Sequence, residues 1–207
     1  MSAREFAKDQ PDSFAFSAEN EETIKAIIAK YPDGKQASAV IPLLDLAQRQ
    51  NDNWIPVKAM EAIAERLDMA KIRVMEVATF YTMFNLAPVG KYFLQACTTT
   101  PCWLRGSDQV MKCVHDKLGL HGHYETTDDG MFTLLEVECL GACVNAPILQ
   151  VNDDFYEDLD YEKTAELLDA LKRGEAPPVG SLAGRNKSES SAGATTLAQM
   201  RPAAGED

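Results

Sequence analysis

The spacing of the cysteines constrains this chain more than any other feature of its sequence. Cys97 and Cys102 form a C-x4-C pair, Cys139 and Cys143 form a C-x3-C pair farther along, and Cys113 stands alone. An odd number of cysteines without a secretion signal argues against a disulfide framework. Two separate pairs can instead bring four thiolates from two loops to one inorganic centre.

Four kinds of site are compatible with this spacing. Structural zinc is one alternative, although zinc-binding pairs are usually closer in sequence. A redox dithiol normally needs C-x-x-C, which is absent, and the four thiols could also be purely structural. A [2Fe–2S] cluster has two irons that each need two thiolates, and Gly141 and Ala142 allow backbone N–H groups to approach sulfur closely. The spacing therefore favours a cluster and leaves the other three open.

Composition excludes several classes of partner. The 207 residues contain 20 Lys and Arg against 32 Asp and Glu, for a net charge of −12. Nucleic acid and anionic membrane surfaces both attract clustered cations, so neither is an expected partner. No apolar run approaches the roughly 18–20 residues that span a bilayer, so we expect no direct membrane insertion. The acid-containing N-terminus does not resemble a signal or transit peptide, which predicts a cytoplasmic protein.

Apolar periodicity predicts a helical bundle over residues 17–87, after an N-terminal extension at 1–16. Ser17 is a candidate N-cap for the first helix, and three further helices follow, the last over about 71–83. Short connections between four helices are typical of a small bundle.

The rhythm changes over residues 88–174, where strand and helix patterns alternate in the order β-α-β-β-α. Both cysteine pairs follow predicted strands, which is where such folds place their sites. Residues 175–207 are rich in Ala, Gly, Ser and Pro, and we predict a flexible C-terminal tail there. The predicted fold class is thus α plus α/β.

Several motifs resemble the NADH dehydrogenase 24 kDa-type subunit of respiratory complex I. They are KYPDGKQASAVIPLLDLAQRQ at 30–50, EVATFYTMF at 76–84, PVGKY at 88–92, CTTTPCWLRG at 97–106 and ECLGACVNAP at 138–147. The similarity extends over roughly residues 15–175, and nothing departs from the family pattern at the cysteines.

This resemblance implies a helical domain followed by a thioredoxin-like domain with one [2Fe–2S] cluster. Residue by residue, the family's ligands correspond to Cys97, Cys102, Cys139 and Cys143. It also implies a non-catalytic redox subunit of a proton-translocating NADH:quinone reductase, peripheral on the inner membrane through the complex. FMN and NADH are then expected on a partner subunit, alongside other peripheral-arm subunits. The same architecture resembles subunits of soluble NAD-linked formate dehydrogenases and hydrogenases, and a zinc-stabilised interaction module is a further alternative.

The remaining residues either support this interpretation or have a simpler structural explanation. No G-x-G-x-x-G or Walker loop is present, so NADH oxidation needs another chain. Cys113 lies on an apolar helix stripe and is expected to be buried. His121 and His123 form H-x-H in a turn, for which a solvated loop is expected. Trp103 could shield a cluster or pack. The aromatic residues could form a core, which is the default prediction, or a patch that contacts the flavoprotein; they are Phe80, Tyr81, Phe84 and Tyr92.

Overall fold

The computed structural model describes residues 5–190 together with 192 and 193. The chain divides into two compact units between Val89 and Gly90. Each unit has its own buried core, and the two are described separately below. Within the described residues, no helix combines the length and apolar character needed to cross a bilayer.

The first unit is helical. α1 covers Ala18–Ile28, a 3-10 turn covers Gln36–Ala39, and α2 covers Val40–Gln50. α3 covers Val57–Arg66 and α4 covers Lys71–Phe80. These helices confirm the helical prediction for the N-terminal region.

Local interactions decide where two of these helices begin and end. The Ser17 hydroxyl accepts a hydrogen bond from the Asn20 N–H at 3.2 Å, so the predicted N-cap of α1 is confirmed. α4 ends three residues before the predicted end, because Tyr81 has an extended backbone with φ −80° and ψ 117°.

Side chains at helical spacing from all four helices share one core. The fully buried members include Ile24, Leu43, Leu44, Met60, Ile63 and Val74, and Phe84 joins them after α4. The predicted N-terminal extension contributes as well, since Phe6, Phe14 and Phe16 pack against this core.

As far as the structure describes it, the second unit contains a mixed sheet and three α-helices. It begins with β1 at Tyr92–Cys97, followed by α5 at Thr100–Leu104 and α6 at Ser107–Leu118. β2 at Glu125–Thr126 and β3 at Phe132–Val137 come next.

Two further strands, a helix and a last strand complete the described part of the second unit. β4 covers Leu149–Val151 and β5 covers Asp154–Glu157. α7 covers Tyr161–Lys172, and β6 covers Gly180–Ser181. The predicted β-α-β-β-α order is recovered as β1, α6, β3, β4–β5 and α7. The short elements α5, β2 and β6 were not predicted.

The strand order in the sheet is β2-β3-β1-β4-β5-β6. β1 pairs parallel with β3, and Cys97 lies opposite Val137 in this register. On its other side β1 pairs antiparallel with β4. Side chains from α6 and α7 pack with those of the strands in one core, which includes Leu94, Val114, Phe132, Leu149 and Leu168.

The first part of the predicted flexible tail at 175–207 is instead bound to the sheet. β6 pairs parallel with β5, and Arg185 forms an ion pair with Asp158. Composition could not predict this, because the segment is held by an open strand edge and by a carboxylate distant in sequence. The remainder of that tail, residue 191 and residues 194–207, lies outside the described residues.

Replacing Leu43 by Ala tests the core of the first unit. Leu43 is fully buried, so we expect the free energy of unfolding to fall by about 2–5 kcal/mol, measured by urea denaturation followed by circular dichroism. Ile72→Ala is the matched control, because Ile72 is 60% exposed and should lose little. Equal losses in both variants would contradict the assignment of Leu43 to the core.

Candidate metal centre

The first cysteine pair lies where β1 gives way to a short helix. Cys97 is the last residue of β1, and Cys102 lies within α5. Pro101 occupies the first turn of α5, where its missing N–H costs no helical hydrogen bond. Both thiols are almost fully buried, at 2% and 1% exposed.

The second pair lies in the loop after β3. Cys139 and Cys143 are both exposed, and their sulfurs are 3.7 Å apart. Between them Gly141 has a φ of +82°, which side-chain-bearing residues rarely adopt. A Cβ on Gly141 would meet no atom within 4 Å, so the glycine is needed for this backbone conformation rather than for space.

Parallel pairing of β1 with β3 brings the two loops to one edge of the sheet. Cys97 lies opposite Val137, two residues before Cys139. The Thr98 hydroxyl also donates to Glu136 Oε1 at 2.5 Å, linking the first loop to β3. The carboxyl ends of neighbouring parallel strands meet at the same edge, so pairs far apart in sequence become neighbours in space.

Backbone N–H groups point at all four sulfurs, and the one at Cys143 is the N–H of Cys143 itself. Gly141 N–H donates to Cys139 Sγ at 3.3 Å. Leu140 N–H and Thr99 N–H donate to Cys97, and Ile148 N–H donates to Cys102. Two of these donors cross from one loop region to the other, and all stabilise negative charge on sulfur.

The pKa values of the thiols reflect these surroundings. Burial opposes ionisation of Cys97, yet the Leu140 and Thr99 N–H groups, with a hydrogen bond from Cys102, hold its pKa below the usual value. Burial and the hydrogen bond to Cys97 raise the pKa of Cys102. The hydrogen bond with Cys139 raises the pKa of Cys143.

The thiols thus form two close pairs at one edge of the sheet. Cys97 is hydrogen-bonded to Cys102, Cys139 contacts Cys143, and Cys143 lies near enough to influence the pKa of Cys102 electrostatically. In the part of the chain that the structure describes, no three His, Cys, Asp or Glu side chains converge closely enough to hold one metal ion. Two pairs of free thiols with N–H groups aimed at sulfur fit the donor set of a [2Fe–2S] cluster.

Cys113 does not belong to this site. It lies in α6, is fully buried as predicted, and burial raises its pKa to about 11. The rings of His115 and His121 are 4.8 Å apart, but no further ligand joins them among the described residues. His121 and His123 are exposed, as predicted for a solvated loop.

The aromatic residues are only partly where the sequence predicted them. Phe84 is in the helical core, but Phe80 is 77% exposed, and Tyr81 is also exposed, so the core prediction is wrong for both. Phe80 is the last residue of α4 and lies off the face that buries Val74 and Ala78, and Tyr81 follows the helix with an extended backbone. Trp103 is exposed beside Cys102, and the Ala146–Pro147 peptide bond is cis.

Sequence reasoning missed the donors to sulfur from Leu140 and Ile148. A hydrogen bond from a backbone N–H carries no residue-type signature, and Ile148 is distant in sequence from the thiol that it contacts. In the loop of the second cysteine pair, only Gly141 indicates the backbone conformation from the sequence.

A family model described as thioredoxin-like [2Fe–2S] ferredoxin matches residues 24–172. The E subunit of the NADH-quinone oxidoreductase of Rickettsia conorii is 58% identical over 160 residues, covering 77% of this chain and 95% of that protein. The mitochondrial NADH dehydrogenase [ubiquinone] flavoprotein 2 of Dictyostelium discoideum is 50% identical over 184 residues, covering 89% of this chain and 74% of the relative.

A solved structure shares the fold. It is the NAD+-reducing [NiFe]-hydrogenase in the air-oxidized state, with a TM-score of 0.55 and 16% identity, covering 63% of this chain and 23% of that chain. The sequence matches are the stronger finding, since they extend over most of both proteins at half identity or more. The chain therefore belongs to the thioredoxin-like [2Fe–2S] ferredoxin family, within the group of NADH-quinone oxidoreductase E subunits.

Proposed function

We propose that this chain is the electron-transfer component of a respiratory NADH:quinone oxidoreductase, and that Cys97, Cys102, Cys139 and Cys143 bind one [2Fe–2S] cluster. The observation that carries the proposal is two close pairs of free thiols on two loops that leave the same edge of the sheet. The family of the chain supports the same assignment.

A bound [2Fe–2S] cluster supplies one-electron chemistry. Four thiolates of the chain would hold it, and the backbone N–H groups of Leu140, Gly141 and Ile148 would offset part of the negative charge on sulfur. Acidic side chains act in the opposite sense, because the segment 124–169 holds thirteen Asp or Glu and one Lys. Reduction adds negative charge, which a negative environment opposes.

Exposed apolar side chains beside the cysteines support docking of a partner subunit. Trp103 and Leu104 follow Cys102 and are 62% and 71% exposed, and Val144 follows Cys143 and is 64% exposed. Large apolar side chains on a free surface are typical of a contact with another protein. Cys139 and Cys143 are the exposed thiols, so the partner approaches the site from their side.

The partner in this proposal carries FMN and NADH. The chain has no dinucleotide-binding or phosphate-binding glycine motif, so it has a redox role without a complete active site. Single electrons would pass between the flavin of that partner and this subunit. Proton translocation and peripheral attachment to the cytoplasmic face of the membrane belong to the whole complex.

A second candidate is a subunit of a soluble NAD-linked hydrogenase or formate dehydrogenase. The likeness of fold to an NAD+-reducing [NiFe]-hydrogenase favours it. Affinity purification from the native cell separates the two, since membrane subunits should co-purify in the first case and a soluble hydrogenase or molybdenum partner in the second.

Serine substitutions test the ligand set. Cys97→Ser and Cys139→Ser should each abolish or destabilise the cluster, because serine oxygen binds iron less well than thiolate sulfur does. Iron and sulfide content, visible absorption and the rhombic paramagnetic-resonance signal after reduction measure this. Cys113→Ser should keep the full signal, and an unchanged spectrum in either ligand variant would reverse the assignment.

A redox titration tests the electrostatic environment. With four thiolates and an acidic domain, we expect a reduction potential below zero, nearer the roughly −400 mV of plant-type ferredoxins than the range of Rieske centres with His ligands. The paramagnetic-resonance signal is followed against applied potential. A midpoint well above zero would contradict both the all-cysteine ligation and the proposed influence of the acidic residues.

Placing a charge beside the first cysteine pair tests the docking surface. Trp103→Asp should weaken co-purification with the flavin-containing subunit by about tenfold or more, since aromatic residues often dominate protein interfaces. Val179→Asp is the matched control, because Val179 is similarly exposed, at 59%, in the same unit. Both variants should keep the cluster spectrum, and equal binding by both would remove this surface from the proposal.

A further inference from the structure

Arg185 is a largely buried cation in the C-terminal segment, residues 180–189. It lies beyond residues 24–172, which the family model matches. Its side chain is 12% exposed, and the carboxylate that it pairs with, on Asp158, is 11% exposed. Arg185 Nη2 donates to Asp158 Oδ1 at 2.7 Å, and Nε donates to Oδ2 at 2.8 Å.

The same guanidinium reaches the loop that carries Cys143. Arg185 Nη2 also donates to the Val144 carbonyl at 3.0 Å and to Asn145 Oδ1 at 2.5 Å. Nη1 is bound to the Glu189 carbonyl at 2.8 Å, so every nitrogen of the guanidinium donates to at least one acceptor. Two of these acceptors belong to the 3-10 turn Cys143–Asn145.

Asn145 is held from its other side by the same segment. It is 3% exposed, and its Nδ2 donates to Glu157 Oε2 at 2.6 Å and to the Lys187 carbonyl at 2.8 Å. Asp158 N–H donates to the Asn145 carbonyl at 2.7 Å. The turn after Cys143 is therefore fixed between β5 and the C-terminal segment.

Hydrogen bonds keep Asp158 ionised and oriented toward Arg185. Burial opposes its ionisation, but hydrogen bonds from Arg185 and Ser181 hold its pKa below the usual value. Ser181 Oγ donates to Asp158 Oδ2 at 2.6 Å and accepts from the Arg185 N–H at 3.3 Å. The carboxylate thus orients the guanidinium from one side while the turn accepts from it on the other.

We propose that Arg185 is a positioning residue for the cluster site, which holds the exposed Cys143 turn in the conformation that binds iron. The inference rests on the proposed function, since it concerns a cluster ligand. Cys143 is exposed in a single 3-10 turn, so its own side chain does not anchor the turn, whereas Asn145, at 3% exposed, does. A guanidinium can bind two acceptors on the turn and a carboxylate at once, whereas a lysine ammonium lacks this planar fork.

The test compares Arg185→Gln, Arg185→Lys and Arg173→Gln with the wild type in the cluster-loaded full chain. Arg173 is the matched control, because it also binds a carboxylate through two nitrogens, on Glu175, but both side chains are more than half exposed. One measurement is the rate at which an iron chelator bleaches the cluster. The other is hydrogen exchange of the segment 139–147.

Arg185→Gln should bleach about tenfold faster than the wild type, as expected when the support of a metal ligand is removed. Arg185→Lys should be intermediate, and Arg173→Gln should match the wild type. Exchange should rise at 139–147 in both Arg185 variants while α6 and α7 keep their protection. Should Arg185→Gln not fold, the lysine variant carries the test through its exchange at 139–147.

Two results would overturn the inference. One is bleaching and exchange in the Arg185 variants equal to those of Arg173→Gln. The other is a uniform rise in exchange through the whole unit, which would make Arg185 a general stabilising residue. A wild-type chain without a cluster spectrum would instead refute the proposed function, and exchange in the metal-free chain would still report the contact with the turn.

Discussion

The parallel pairing of β1 with β3 is the constraint on which the candidate site depends. It aligns Cys97 with Val137, so that the loop after each strand leaves the same edge of the sheet. Shifting this register by one residue would turn each buried side chain of β3 to the opposite face and move Cys139 away from the first pair. The core that α6 and α7 share with the strands therefore affects the site indirectly, because it fixes β1 and β3 against each other.

Two opposing electrostatic contributions meet at the cysteines. Backbone N–H groups from both loops are aimed at sulfur and favour the ionised thiol, as the lowered pKa of Cys97 reflects. Burial of Cys97 and Cys102 works in the other direction, and the segment 124–169, with thirteen Asp or Glu and one Lys, gives this part of the chain an acidic character. Such a balance lets the site bind a cluster through ionised sulfurs and still oppose the negative charge that reduction adds. This is consistent with the low reduction potential that we propose for the cluster.

The C-terminal segment belongs to the structure of this site as much as the strands do. A flexible tail was predicted from 175 onward because small and polar residues cannot form a core of their own. Residues 180–189 are nevertheless bound to an existing domain, through the edge of β5 and through Arg185. A segment of this kind needs no hydrophobic pattern, because its partners supply the burial.

The sequence by itself determined the helical first unit, the α/β order of the second and the candidate ligands Cys97, Cys102, Cys139 and Cys143. Helical periodicity, strand patterns and cysteine spacing are local properties, and motifs shared with a known family are read from the same letters. Tertiary structure alone decided the pairing of β6, the approach of the Leu140 and Ile148 N–H groups to sulfur and the contact of Arg185 with the Cys143 turn. Each of these depends on backbone groups or side chains that are far apart in the chain. Almost any residue can make a backbone hydrogen bond, so the residue type at one position does not predict such contacts.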